Sequence, residues 1–140
     1  MPIVRFQSLP GCDVINMELV APDGSVSSNR LLVDSGFTGE SALVLAAHLE
    51  PMAHGYVDQA NAAGALSGAQ TRVVVQCRVP GLAFDEVLIA IAADITELAL
   101  PPDVDGMAGL TFLRRFTSWG AERDLSGDWS FFLSDEVKEP

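Results

Sequence analysis

The residue best placed to do chemistry is Asp34, carried by the apolar run Leu31-Leu32-Val33 and followed by Ser35-Gly36-Phe37-Thr38-Gly39. An apolar run of that kind makes a buried strand, and Gly36 permits a sharp turn that side chains with a Cβ resist. Asp34 is thereby left at the floor of whatever cleft the strand end opens into, a candidate for acid–base chemistry. An Asp-Ser-Gly is also a turn that its own side chain can satisfy, so the flanking strand carries much of the functional reading. Asp23-Gly24 and Asp105-Gly106 lack the hydroxyl, and neither follows a continuous apolar run. His48 and His54 have no acidic or cysteine partner at ligand spacing, and Cys12 and Cys77 are too few and too far apart for a metal site. No metal is expected, and the two cysteines are expected to be free, buried thiols.

The elements that must position Asp34 read as short strands separated by turns. Ile15-Asn16-Met17-Glu18-Leu19-Val20 alternates with period two, Pro22-Asp23-Gly24 is a turn, and Ser27 to Val33 returns as the second arm of a hairpin aimed at Asp34. Ala42 to Leu45 reads as a strand and Ala46 to Glu50 as a helical turn or two. From Tyr56 to Val79 the sequence predicts two arms around a small-residue tip, Asn61 to Gly68, with Thr71 to Gln76 as the clearest β-branched run. Glu86 to Ala93 reads as a buried strand, Leu110 to Phe116 as a short helix and Asp128 to Leu133 as a last strand. Residues 117 to 128 receive no element.

Composition narrows the function classes. At 140 residues with 49% apolar, the chain suits one domain, residues 1–140, with a substantial core. Nineteen acidic against 8 basic residues give a net charge of −11, which repels nucleic acid and anionic membrane surfaces alike. The longest apolar run, Val87 to Ala93, is far short of the roughly 20 residues of a membrane span. Met1-Pro2-Ile3-Val4-Arg5-Phe6-Gln7 has no charged region leading into an apolar core, so a soluble, cytoplasmic protein is expected.

Two segments, Val33-Asp34-Ser35-Gly36-Phe37-Thr38-Gly39-Glu40 and Met107-Ala108-Gly109-Leu110-Thr111-Phe112-Leu113-Arg114-Arg115-Phe116, together resemble the retropepsin-like (clan AA) aspartic peptidases, particularly their small bacterial single-domain members. The resemblance runs from about Ile15 to Leu133. It implies an all-β fold, a closed barrel of short strands with one or two short helices, assembling as a two-fold homodimer. It makes Asp34 catalytic, Ser35 to Gly39 the active-site loop, and Met107, Ala108, Gly109 and Leu113 the residues that brace it. The flap falls on Asn61, Ala62, Ala63, Gly64 and Ala65.

Peptidases of this type activate water between two carboxylates that share a proton. This chain has one such motif, so the resemblance implies that each subunit of a homodimer contributes one Asp34, with Ser35 tying the loops together. No cofactor is implied. Trp129, Phe131 and Phe132 are expected in an apolar interface, and an extended peptide or protein substrate is expected to lie across the axis. Two other readings stay open: a weakly active or inactive retropepsin-like fold that dimerises or binds peptides, and an unrelated small barrel.

Overall fold

Alternation along Ile15-Asn16-Met17-Glu18-Leu19 is realised in space: Ile15, Met17 and Leu19 are buried, whereas Asn16 is exposed and Glu18 half-buried. The computed structural model describes residues 2–62 and 68–135. Its strands are β1 (Ile3–Gln7), β2 (Val14–Val20), β3 (Val26–Val33), β4 (Leu43–Ala46), β5 (Gly55–Ala62), β6 (Gly68–Val79), β7 (Phe84–Ala93), β8 (Gly106–Ala108), β9 (Ser118–Arg123) and β10 (Trp129–Ser134). Helix is confined to short pieces, among them α1 (Leu110–Leu113) and 3-10 turns at Ala47–Met52 and Ile95–Leu98. None of the described helices is long and apolar enough to cross a membrane.

Six strands close into a barrel in the order β2-β3-β8-β4-β7-β6. Closure comes from β6 returning to β2, where Arg78, Cys77 and Gln76 pair with Glu18, Leu19 and Val20. The other half of β6 pairs with β5, so these two strands extend beyond the barrel as a hairpin. A separate sheet, β1-β10-β9, packs against the barrel through Phe6, Phe131 and Leu133, which belong to the same buried cluster as Leu31, Leu43 and Val75. Each large apolar side chain so buried contributes roughly 1.5–3 kcal/mol.

Several expectations need correction. The Leu110 to Phe116 helix is helical only over Leu110–Leu113. Beyond it the amides of Arg115 and Phe116 reach back three residues, to Phe112 and Leu113, and the turn tightens. That tightening sets Phe116 against Phe112 and Phe84, with ring centroids 5.2 and 4.8 Å away. Residues 117 to 128, left without an element, contain β9, and β1 was likewise not anticipated. Phe131 is 3% exposed inside the core and cannot serve an interface, whereas Trp129 is 52% exposed. Of the expected flap, Asn61 and Ala62 end β5, and Ala63, Gly64 and Ala65 lie outside the described residues.

Candidate active site

Asp34 is the first residue after β3, and the chain from Asp34 to Ala42 crosses to β4. These flanking strands are not neighbours: β8 lies between them. It runs parallel to β3, with Leu32 opposite Met107 and Val33 opposite Ala108. It runs antiparallel to β4, with Leu43 opposite Ala108 and Val44 opposite Met107. The loop of Asp34 therefore straddles a strand that arrives from some seventy residues later, and Met107, Ala108 and Gly109 are brought directly against it.

Hydrogen bonds fix the loop to this central strand along its length. The Asp34 amide donates to the Ala108 carbonyl at 2.9 Å, the Gly109 amide to the Ala42 carbonyl at 2.9 Å, and the Leu110 amide to the Phe37 carbonyl at 2.9 Å. Within the loop, the Phe37 amide donates to the Asp34 carbonyl at 3.1 Å and the Gly36 amide to Asp34 Oδ1 at 3.0 Å. Thr111 adds a side-chain donor, its hydroxyl bonding the Gly39 carbonyl. Leu113 is fully buried in the barrel cluster and so anchors α1 beneath this junction.

The glycines have different reasons. At Gly109 a Cβ would stand 2.4 Å from Phe37 Cδ2 and 2.7 Å from the Phe37 carbonyl oxygen, so only glycine admits the loop. Gly36 is not among the glycines with positive φ. A Cβ there would lie 3.2 Å from Asp34 Oδ1, crowding the carboxylate it hydrogen-bonds. Left-handed geometry belongs to Gly39, at φ +114°.

Asp34 is half-buried, while Ser35 and Thr38 are exposed. Phe37 turns the other way, into a small apolar cluster with Val44, Ile91 and Met107 on the outside of the barrel. One loop thus holds an apolar anchor at Phe37 and presents a carboxylate and a hydroxyl at Asp34 and Ser35.

The β5–β6 hairpin is tied to the same loop by charge. Arg72 on β6 binds Asp58 on β5 with both ends of its fork, at 2.6 and 2.7 Å, and its third nitrogen reaches Glu40 at 3.3 Å. The Arg72 side chain is only 14% exposed. Its guanidinium holds the Asp58 carboxyl below the usual carboxylate range, and the two carboxylates in turn stabilise the charge on Arg72. Glu40, Asp58 and Arg72 were not singled out from the sequence.

Among the described residues no group of three or more His, Cys, Asp and Glu side chains is arranged to hold a metal ion. His48 is exposed, and the His54 ring is within 2.6 Å of the Val20 carbonyl. Cys12 and Cys77 are free. Burial pushes the Cys77 thiol up to about 12, with Asp85 and Glu86 adding to the shift, so it stays protonated and is no nucleophile at neutral pH. No protein-family model matches the chain, and no curated protein matches it in sequence.

Proposed function

We propose that the protein is a homodimeric aspartic endopeptidase of the retropepsin-like type, residues 1–140 forming one such domain. Two Asp34 carboxylates, one from each subunit, would activate a water toward a peptide bond. The observation that carries this reading is β8 running between β3 and β4 beneath the loop of Asp34. A carboxylate that must meet its counterpart at near contact has to be held to a fraction of an ångström, and a loop bonded to a central strand on both flanks meets that demand.

The chemistry follows from proximity. Two carboxylates within hydrogen-bonding distance cannot both ionise easily, so the pair retains one proton. The ionised member takes a proton from water as the water attacks the scissile carbonyl carbon, while the protonated member donates to the carbonyl oxygen. The resulting gem-diol breaks down with proton transfer to the leaving amine, and the shared proton is restored. Gly36 engages Oδ1 of Asp34 and orients the carboxylate. The exposed Ser35 hydroxyl suits a bond across the two-fold axis, and the β5–β6 hairpin is the element suited to cover an extended peptide.

The Gly36 to Asp34 hydrogen bond would hold this loop equally well in a non-catalytic module that dimerises or binds peptides. Asp34→Asn separates the two readings, because asparagine keeps the acceptor for Gly36 but cannot act as a base. With dye-labelled casein as substrate, cleavage should fall by about 10²–10⁴-fold or more while the dimer persists. A wild-type protein that cleaves nothing, or a variant that cleaves as well, removes the peptidase reading.

A further inference from the structure

Away from Asp34, the barrel carries a cavity of about 270 Å³ lined by Asn16, Ser28, Asn29, Arg30, Asp103 and Asp105. Strand alternation builds one wall. Asn29 and Leu31 are buried, so Ser28 and Arg30 between and beside them point outward, and Asn16 on β2 stands opposite Arg30 in the register. The segment before β8 builds the other wall, and the Asp105 amide joins the two by donating to the Arg30 carbonyl at 2.8 Å. A turn closed by the Val104 amide donating to the Pro101 carbonyl at 3.3 Å carries Asp103 at φ +65°. Val104, between the two aspartates, is buried and pins both to the cavity wall.

The charges on these walls are unspent. Arg5, Arg72, Arg78 and Arg115 each reach a carboxylate. Arg30 is half-buried in a cavity with two carboxylates, yet among the described residues its guanidinium and the side chains of Asp103 and Asp105 make no hydrogen bond or ion pair. The Asn16 amide and the Ser28 hydroxyl are equally uncommitted, whereas the Asn29 side chain is engaged with Ser27. A half-buried cation and two fixed anions that share a cavity without meeting are complementary to a solute that carries both signs.

We propose that this cavity binds a free α-amino acid with a small or polar side chain, its carboxylate on the Arg30 guanidinium and its ammonium group on Asp103 and Asp105. The planar fork of an arginine matches a carboxylate with two parallel bonds, and two carboxylates suit the several donors of an ammonium group. A simple anion would be repelled by the aspartates, and a simple cation by Arg30. Sugars and nucleobases are disfavoured because no aromatic ring lines the cavity to stack on them. Its volume lies just below the range of pockets for drug-sized ligands, which suits a single amino acid. Four residues, roughly 13 Å along β3, separate Arg30 from Asp34, so the assignment does not depend on the catalytic reading.

The test is isothermal titration calorimetry of the full chain with glycine, L-alanine, L-serine, L-threonine, L-asparagine and L-glutamine at millimolar concentration. Glucose and inorganic phosphate are the controls. The expected result is saturable binding of at least one amino acid. Its N-acetyl and amide derivatives, each lacking one charge, should bind about tenfold more weakly or worse, as should the parent compound to Arg30→Gln and Asp105→Asn. No saturable heat from any of the amino acids overturns the proposal, as does binding that is indifferent to capping either end or that survives in Arg30→Gln. Binding of glucose or phosphate in their place overturns it as well. The Arg30 side chain has no partner within the chain to lose, so Arg30→Gln, checked for an unchanged melting temperature, decides the matter even where Asp105→Asn disturbs the turn.

Discussion

Gly109 and Phe37 are in such close contact that a single added carbon on the glycine would overlap the ring and carbonyl of the phenylalanine, at 2.4 and 2.7 Å. Gly109 also donates to Ala42, so it touches the outgoing loop at two points. Gly109→Ala must therefore push Phe37 out of its apolar cluster or shift β8, and backbone atoms give way less readily than side chains. A loss at or above the roughly 1–3 kcal/mol of ordinary overpacking is expected, read as a lower urea midpoint at unchanged slope. Under the peptidase reading, the variant should also lose cleavage under conditions where it remains folded.

Thr111 supplies a milder test of the same junction. Its hydroxyl is bonded to Gly39, whose left-handed backbone marks the turn back toward β4. Thr111→Val keeps the shape and removes the donor. Stability should fall by about 0.5–1.5 kcal/mol, the net value of one such bond, in thermal or urea unfolding.

How far these relationships were legible depends on whether they are local. β2 announces itself because a strand with one buried face places apolar side chains at every second position, whereas β3 and β7 are marked by continuous apolar runs, and Asp34-Ser35-Gly36 follows the first of these. β9, Ser118-Trp119-Gly120-Ala121-Glu122-Arg123, does not, because it is a half-exposed edge with a glycine under the Phe132 ring and charges at its end. The contact of Arg72 with Asp58 and Glu40 joins residues 14 and 32 apart in sequence, and only strand register brings them together. Gly36 and Gly109 were visible as glycines, but what each makes room for required the neighbours themselves.

The Arg72 contacts yield a pH dependence with a definite sign. Asp58 is held below its ordinary carboxyl value of 3.8 by Arg72, so the unfolded chain binds this proton more readily than the folded one. Its stabilising contribution is complete above the unfolded value and is lost as pH falls through the lower folded value. Wild type and Asp58→Asn should therefore differ in melting temperature near neutral pH and converge in acid, as pH falls below the ordinary carboxyl value. Under the peptidase reading, Glu40→Gln, which weakens only the link from hairpin to loop, should raise KM for casein more than it lowers kcat.

Under the dimeric reading, salt should favour association. Each subunit carries a net charge of −11, so bringing two together works against a long-range repulsion that ions screen. Raising ionic strength from about 0.01 to about 0.15 M shortens the screening length from roughly 30 to roughly 8 Å. The dimer dissociation constant should fall over that interval in sedimentation experiments, whereas an interface built on ion pairs would weaken.

Under the peptidase reading, activity should decline toward alkaline pH for a reason separate from stability. A pair of carboxylates sharing one proton works only in that singly protonated state, and titration removes the proton from the pair as a unit. Loss of that proton leaves no acid to polarise the scissile carbonyl, and the two charges then repel across the axis. The rate of casein cleavage, measured at a protein concentration that keeps the dimer intact at every pH, should fall as the solution is made alkaline while the folded fraction stays constant. A rate that stays flat from mildly acidic to strongly alkaline pH would contradict a shared proton and with it the role given to Asp34.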